Sequence, residues 1–330
     1  MKPDLSIIIA TLGFDSLNGT LKSIINNKNN SNIEVLIIGN VKEELIGEYK
    51  KLKFIKHLPC SFEKGDLSKK RNLGFEKAKA DVVAYIDDDV NITRDWIKNG
   101  LRHFNNPKVG MVSGPGIMPK KADFSIELFG TTMSSLGSGP IRNRYSGGKK
   151  LEIDNHGDKI IGCNMFIRRK VYSEIGGFNP EIIPAEEIDF AARIIKKGYK
   201  IYIDPQVYLI HFARSDIKRF FRQIFRFGRS KINTIRRRTT PLKMIYLLPL
   251  VTLIFFPILL IFSLFSSFLL RISISLLLLY LIFDIIAVFD SLVRTHRLIS
   301  ILLIFTIPLT HLAYSLGEVC ELFSIKTRID

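Results

Sequence analysis

The stretch "VVAYIDDDVN" (Val82–Asn91) decides the reading of this chain. Its apolar front reads as a buried strand, and three consecutive carboxylates, Asp87, Asp88 and Asp89, stand where that strand ends. In an extended backbone residues two apart share a side, so Asp87 and Asp89 face one way and Asp88 the other. Two carboxylates ~6 Å apart repel by about 2–3 kcal/mol at an effective dielectric of 20, so the pair calls for a positive partner. A hard divalent cation, Mg2+ or Mn2+, takes one or two protein carboxylates and leaves its other positions to water and substrate phosphates. A capping or solvated acidic turn is the plainer alternative.

Outward from this stretch, strand and helix patterns alternate. "LSIIIAT" and "IEVLIIG" are short β-branched runs ended by turn residues, and "SLNGTLKSIINN" and "LSKKRNLGFEKAKA" between the strands have helical spacing. Such alternation implies an α/β domain with a parallel sheet, helices on both faces, and ligands at the carboxyl ends of the strands. The N-terminus, with one lysine and a short apolar run broken by Asp4, lacks the shape of a signal peptide. The first half is therefore expected in the cytosol. "SSLGSGPIRNRYSGGKK" (Ser134–Lys150) reads as a mobile surface loop, and the segment from Met118 to Lys150 is expected to line an acceptor pocket.

The chain has 330 residues with 48 Lys and Arg against 31 Asp and Glu, a formal charge of +17 that suggests an anionic partner. The basic residues crowd into "DIKRFFRQIFRFGRSKINTIRRRTTPLK" (Asp216–Lys243), and a hydrophobic tract follows at once. That juxtaposition favours membrane lipids and argues against nucleic acid. From Met244 to Leu270 there is no charge; at about 1.5 Å per residue this exceeds a hydrocarbon core roughly 30 Å thick. Further candidates begin at Ile272 and Leu298, giving two or three spans, with the basic stretch and the Arg294–Arg297 hairpin on the cytoplasmic side. Asp284 within the second candidate is a costly residue for which His311 is a possible partner, or which lies near the interface. The cysteines Cys60, Cys163 and Cys320 are too scattered for a disulfide framework or a zinc site and suggest a reducing compartment.

Taken in order, the carboxylate run, "RNLGFEKAKA" before it, and "IGCNMFIRR", "GGFNP", "PAEEIDF" and "LIH" after it resemble family 2 of the glycosyltransferases, which have the GT-A fold, a Rossmann-like nucleotide-diphospho-sugar transferase domain. The resemblance covers most of residues 4–230, and "PLTHLAYSLGEVCELF" is similar to the ends of membrane-bound members that build glycolipids and polysaccharides. It implies that Asp87 and Asp89 form the DxD motif, with Asp89 the more direct metal ligand, Asp88 beside the nucleotide sugar, and His211 reaching the metal or diphosphate unless it is structural. Thr11 matches the nucleotide-binding loop, or else simply caps its strand. Arg71 and Asn72 match the family's "RN" at the donor site, while Lys69 and Lys70 read as a solvated helix face. Glu186 and Glu187 stand where the family has Glu-Asp, so Glu187 is the implied general base and Asp189 the fallback; all three also suit a helix N-terminus. Gly162, Cys163 and Asn164 match the strand beneath the acceptor site. Gln223 and Arg226 align with the interfacial QxxRW element, Phe227 replacing its Trp, although an amphipathic interfacial helix explains the same residues. Two departures stand out. Asn40 occupies the place of an acidic base-recognition residue, and Glu187 replaces an Asp.

The expected organisation is a cytosolic GT-A domain over 1–215, a basic interfacial helix over 216–243 and a membrane domain over 244–330. The expected activity is inverting transfer of a sugar, with Mg2+ or Mn2+, from a nucleotide-diphosphate sugar to a lipid-linked or saccharide acceptor at the membrane. A polyprenyl-phosphate sugar synthase, a processive polysaccharide synthase and a catalytically silent nucleotide-sugar-binding scaffold are the alternatives.

Overall fold

A computed structural model describes residues 2–62, 66–148, 150–182, 185–237 and 243–325. The far end of the basic stretch (238–242) and the C-terminal tail (326–330) lie outside the described residues. The chain divides into two compact units, one of residues 1–119 and 143–212, the other of residues 120–142 and 213–330.

The first unit carries eleven described strands: β1 (Leu5–Ala10), β2 (Ile33–Ile38), β3 (Ile55–Leu58), β4 (Val82–Ile86), β5 (Val90–Ile92), β6 (Val109–Ser113), β7 (Gly116–Ile117), β8 (Glu152–Ile153), β9 (Asn164–Arg168), β10 (Lys200–Ile203) and β11 (Leu209–His211). Its helices include α1 (Ser16–Asn27), α2 (Glu43–Ile46), α3 (Leu67–Lys77) and α4 (Trp96–Leu101). Eight strands form one sheet in the order β3-β2-β1-β4-β9-β6-β10-β8, and β5-β11-β7 form a small second sheet. β1, β2 and β4 are largely apolar runs, buried throughout except at Ala10, as strands covered on both faces must be.

The expected parallel sheet holds for β3-β2-β1-β4, and beyond β4 the sheet becomes mixed. β9 runs antiparallel to both of its neighbours, β4 and β6, and β8 is antiparallel to β10. β9 follows the long insertion after β6 and enters the sheet between β4 and β6 against the direction of both. Helix α3 lies close on the sheet because Gly74 has no side chain; a Cβ there would come within 2.6 Å of Ile8. Two apolar cores, one around Trp96 and Phe166 and the other around Phe178 and Phe190, anchor the unit.

The second unit begins with α5 (Phe124–Met133) and a 3-10 turn over Leu136–Ile141. The next helices along the chain are α6 (Arg142–Ser146), whose first residue is assigned to the second unit and the rest to the first, and α7 (Arg169–Ile175) and α8 (Glu186–Lys196) of the first unit. The second unit then continues with α9 (Ile217–Arg236), α10 (Met244–Ser263), α11 (Ser267–Thr295) and α12 (Leu303–Leu322). Met244–Ser263, Ser267–Thr295 and Leu298–Leu322 are each long and apolar enough to cross a membrane. α9 packs along α12 with near backbone contact at two glycines: a Cβ on Gly228 would sit 2.0 Å from the Tyr314 carbonyl, and one on Gly317 2.0 Å from the Phe225 carbonyl. Arg229 and Glu321 bridge the same pair of helices at 3.0 Å. Phe220, Ile224 and Phe225 of α9 are buried, so part of the apolar stripe read as lipid-facing is covered by protein.

The front of the mobile loop expected over Ser134–Lys150 is corrected. Ser134, Ser135, Gly137 and Ser138 are buried; Gly137 abuts Ile307 so closely that a Cβ would come within 2.5 Å, and its carbonyl meets His311 Nε2 at 2.8 Å. Phe129 stacks on Phe220, and Thr132 meets Thr306 through their hydroxyls at 2.8 Å. The small residues that suggested mobility are what lets this segment pack tightly.

Candidate active site

β1 and β4 are parallel neighbours, so their carboxyl ends bring Thr11 beside the aspartates. The Thr11 hydroxyl donates to the Asp88 carboxylate and accepts from the Gly13 N–H at 2.8 Å. Lys70, read as solvated, is buried instead and donates to the Thr11 carbonyl at 2.8 Å. It lies one helical turn before Gly74, on the stripe of α3 that faces the sheet. Burial pushes the Asp88 carboxyl up to about 6, against the opposing hydrogen bond from Thr11. Asp88 thus supports the loop after β1. Gly13 and Gly39, at φ 81° and 139°, let this loop touch the loop after β2: a Cβ on Gly39 would lie 2.2 Å from the Thr11 carbonyl, and one on Gly13 2.6 Å from the Asn40 carbonyl. The Asn40 side chain is left exposed.

The strand stops at Ile86, and the three aspartates form a turn into β5. The separation of Asp88 from its neighbours is therefore set by a turn, in place of the strand alternation expected. β5 pairs antiparallel with β11 so that Val90 lies opposite His211, which brings His211 Nε2 to 3.7 Å from Asp89 Oδ1. Asp87 Oδ1 lies 3.7 Å from the guanidinium of Arg71, with the Asp87 side chain 37% exposed. Among the described residues, no three His, Cys, Asp or Glu side chains form a group able to hold a metal by themselves. Partly open carboxylates with one imidazole nearby suit a hard divalent ion whose shell is completed by water and substrate oxygens. The buried Cys163 thiol is pushed well up by burial and by Asp87 and Asp89, so it stays protonated and a poor ligand.

Arg71 is the hub of the site. It is buried, pairs with Glu186 at 2.8 Å, donates to the Gly162 carbonyl at 3.0 Å and lies over the Phe178 ring at 5.3 Å. Burial opposes its charge, yet Glu186, Asp87 and Glu187 together hold its pKa above the ordinary value. Burial and the neighbouring Glu187 raise the Glu186 carboxyl, with Arg71 pulling the other way.

The three acids in the first turn of α8 differ in what they touch. Glu186 is taken by Arg71, while Asp189 pairs at 2.9 Å with Arg193, whose other nitrogens bind the carbonyls of Ile175, Gly176 and Gly177. Glu187 is half-buried and has no hydrogen bond or salt bridge among the described residues. Its carboxyl carbon would lie 3.7 Å from a Cβ on Gly162, and that Cβ would also press on Arg71 at 3.3 Å.

Other predicted site residues serve as braces. Asn72 donates to the Phe178 carbonyl at 2.8 Å, and its oxygen accepts from the Phe178 N–H at 2.9 Å and from the Tyr172 hydroxyl. It pins the Gly-Gly-Phe turn. Asn164 is fully buried, accepting from the Trp96 indole at 2.9 Å and donating to the carbonyls of Gly114 and Val207. Gln223 and Arg226 are half-buried on α9, in the second unit. The sequence reading missed Lys70, Arg193 and Tyr172. For Lys70 the signal was its helical phase with Gly74; for the other two the partners are far along the chain.

A mixed sheet with an acidic turn beyond β4 and an acid-rich helix start behind it defines a GT-A-type nucleotide-sugar transferase fold. A mannosyltransferase from Pyrobaculum calidifontis, solved with GDP-Man and Mn2+, shares this fold with a TM-score of 0.65 at 12% identity, over 99% of this chain and 89% of its own. The sequence profile of Glycosyl transferase family group 2 matches residues 82–310, and the chain belongs to that family. A glucosyl-dolichyl phosphate glucuronosyltransferase of Haloferax volcanii is 28% identical over 47% of this chain and 50% of its own length. A pre-mycofactocin glycosyltransferase of Mycobacterium tuberculosis is 23% identical over 45% of this chain and 30% of its own. The chain thus spans half or less of the length of these curated relatives.

Proposed function

We propose that the chain is a membrane-anchored, inverting glycosyltransferase that moves one sugar from a nucleotide-diphosphate donor to a lipid-linked saccharide. The observation that carries this reading is the division of labour among the acids of α8, which leaves Glu187 alone without a hydrogen bond or salt bridge among the described residues. A general base must be a carboxylate free to take the proton of the attacking hydroxyl. Glu187 does this while Arg71, held between Glu186 and Asp87, ties the base-bearing helix to the donor carboxylates. The loops carrying Thr11 and Asn40 receive the nucleoside. Asp87 and Asp89, with His211 beside them, would hold Mg2+ or Mn2+, which when bound supplies charge stabilisation to the leaving diphosphate.

The lipid-linked acceptor is supported by three apolar helices long enough to span a membrane and by a relative whose name specifies a glucosyl-dolichyl phosphate acceptor. In this reading residues 1–215 are the cytosolic catalytic domain, 216–243 the basic connection and 244–330 the membrane domain. The test uses the full chain in nanodiscs with Mn2+ or Mg2+, screening nucleotide sugars for donor hydrolysis and for transfer to lipid-linked saccharides. Asp89→Ala and Glu187→Gln should each lower turnover by at least about 100-fold. Full activity in both variants would remove these residues from the chemistry.

A further inference from the structure

The second unit places two arginines from distant parts of the chain against one carboxylate oxygen. Arg142 Nη2 lies 3.1 Å and Arg294 Nε 3.8 Å from the same Oδ2 of Asp290. Arg294 also donates to the Ser134 carbonyl at 2.6 Å, with the Ser134 hydroxyl 3.5 Å away. Neither arginine has a second salt bridge among the described residues, so one negative charge faces two positive ones. Nearby Arg297 is already engaged by Glu127 at 3.1 Å and by the Lys120 carbonyl.

Two partly desolvated guanidiniums sharing a single carboxylate are held close against their own repulsion, and each has nitrogens that do not engage Asp290. Such forks match phosphate oxygens in geometry and charge. The group is neither sealed nor fully solvated: the side chains of Arg142, Arg294 and Asp290 are 22%, 30% and 32% exposed. Along the same stretch of α11, Ile286, Phe289 and Val293 are exposed and apolar, four and one residues before Asp290 and three after it. A phosphate head at the arginines would have a hydrocarbon chain laid along this stripe.

We infer that Arg142 and Arg294 form a binding site for the phosphate of a phosphorylated long-chain lipid, the anchor of the acceptor. This rests on the reading that the acceptor is lipid-linked, and it adds the group that recognises the anchor. A free phosphate ion would satisfy the arginines and leave the apolar stripe unused, so the lipid is the proposed source.

The experiment is native mass spectrometry on the detergent-purified full chain, titrated separately with polyisoprenyl monophosphate, the corresponding alcohol and inorganic phosphate. The monophosphate should bind at least about tenfold more tightly than either of the others. Arg142→Gln and Arg294→Gln should each weaken it by about tenfold, and the Lys variants should recover part of the loss. Lys53→Gln, an exposed change in the first unit, should bind as wild type does; thermal midpoints confirm that each variant is folded. Equal binding of alcohol and monophosphate, undiminished binding by both Gln variants, or inorganic phosphate binding as tightly as the lipid would each overturn the site. The two readings separate cleanly. Lipid-phosphate binding without sugar transfer refutes the enzymatic reading and leaves the site standing, whereas transfer with unchanged acceptor KM in both Gln variants removes the site alone.

Discussion

Arg71 provides the sharpest test of how the candidate site is held together. Replacing it with methionine keeps a long side chain but removes the 2.8 Å bond to Glu186, the 3.0 Å bond to the Gly162 carbonyl and the charge 3.7 Å from Asp87. Glu186, only 6% exposed, is then a buried carboxylate without its cation. Removing one partner of a buried pair costs about 3–5 kcal/mol. At about 2–4 °C per kcal/mol for a domain of this size, the thermal midpoint should fall by roughly 6–20 °C. Exchanging both partners for apolar residues removes the stranded charge, so Arg71→Met with Glu186→Met should recover at least about half of that loss. Turnover should stay low in the double variant, because nothing then ties α8 to the aspartates. Scanning fluorimetry in detergent measures the midpoints. A single variant within about 1 kcal/mol of wild type, or a double variant no more stable than the single, would refute this account of the hub.

Three further outcomes follow from other parts of the molecule. Gly317→Leu drives a side chain into a carbonyl that even a Cβ would meet at 2.0 Å, so the α9–α12 pair should separate and the midpoint of the full chain should drop by several degrees, as read by thermal aggregation in detergent. Asp204 is held below the usual carboxylate range: burial raises it, but the Gln206 N–H, His103 and Arg102 together lower it further. Its contribution is therefore fully present above the unfolded value near ~3.9 and is lost as the pH falls through the lower folded value; Asp204→Asn should cost about 3 kcal/mol at pH 7 and flatten the acid limb of a midpoint-against-pH curve. Thr11→Val deletes the hydroxyl that Asp88 and the Gly13 N–H both use, so nucleotide-sugar affinity measured by calorimetry should fall by about tenfold while the midpoint moves by no more than about 2 kcal/mol equivalent.

How much of this was legible in the sequence depended on how local each signal was. The buried strands β1, β2 and β4 announced themselves as apolar runs, and the acidic turn marked one of their carboxyl ends. The direction of β9 did not, because it is decided by how a long insertion returns and not by the residues "NMFIR" themselves. The segment after Ser134 was misread for a related reason: its glycines and serines look like a loop until Ile307 and His311, about 170 residues on, are brought against it. In the site, residue types were readable and allegiances were not. "EEID" offers three acids at one helix start, and only the positions of Arg71 and Arg193 show which two are engaged. The amphipathic stripe of α9 was plain in the sequence, but nothing local says that part of it faces α12.

The glycine contacts between α9 and α12 have a mechanical consequence. With each backbone seated in a gap left by the other, and Arg229 and Glu321 clasped across them, neither helix can rotate or slide by a residue without a steric collision. The two helices are therefore locked in register along this stretch. Amides on both sides of Gly228 and Gly317 should accordingly exchange with solvent at a common slow rate, opening together or not at all.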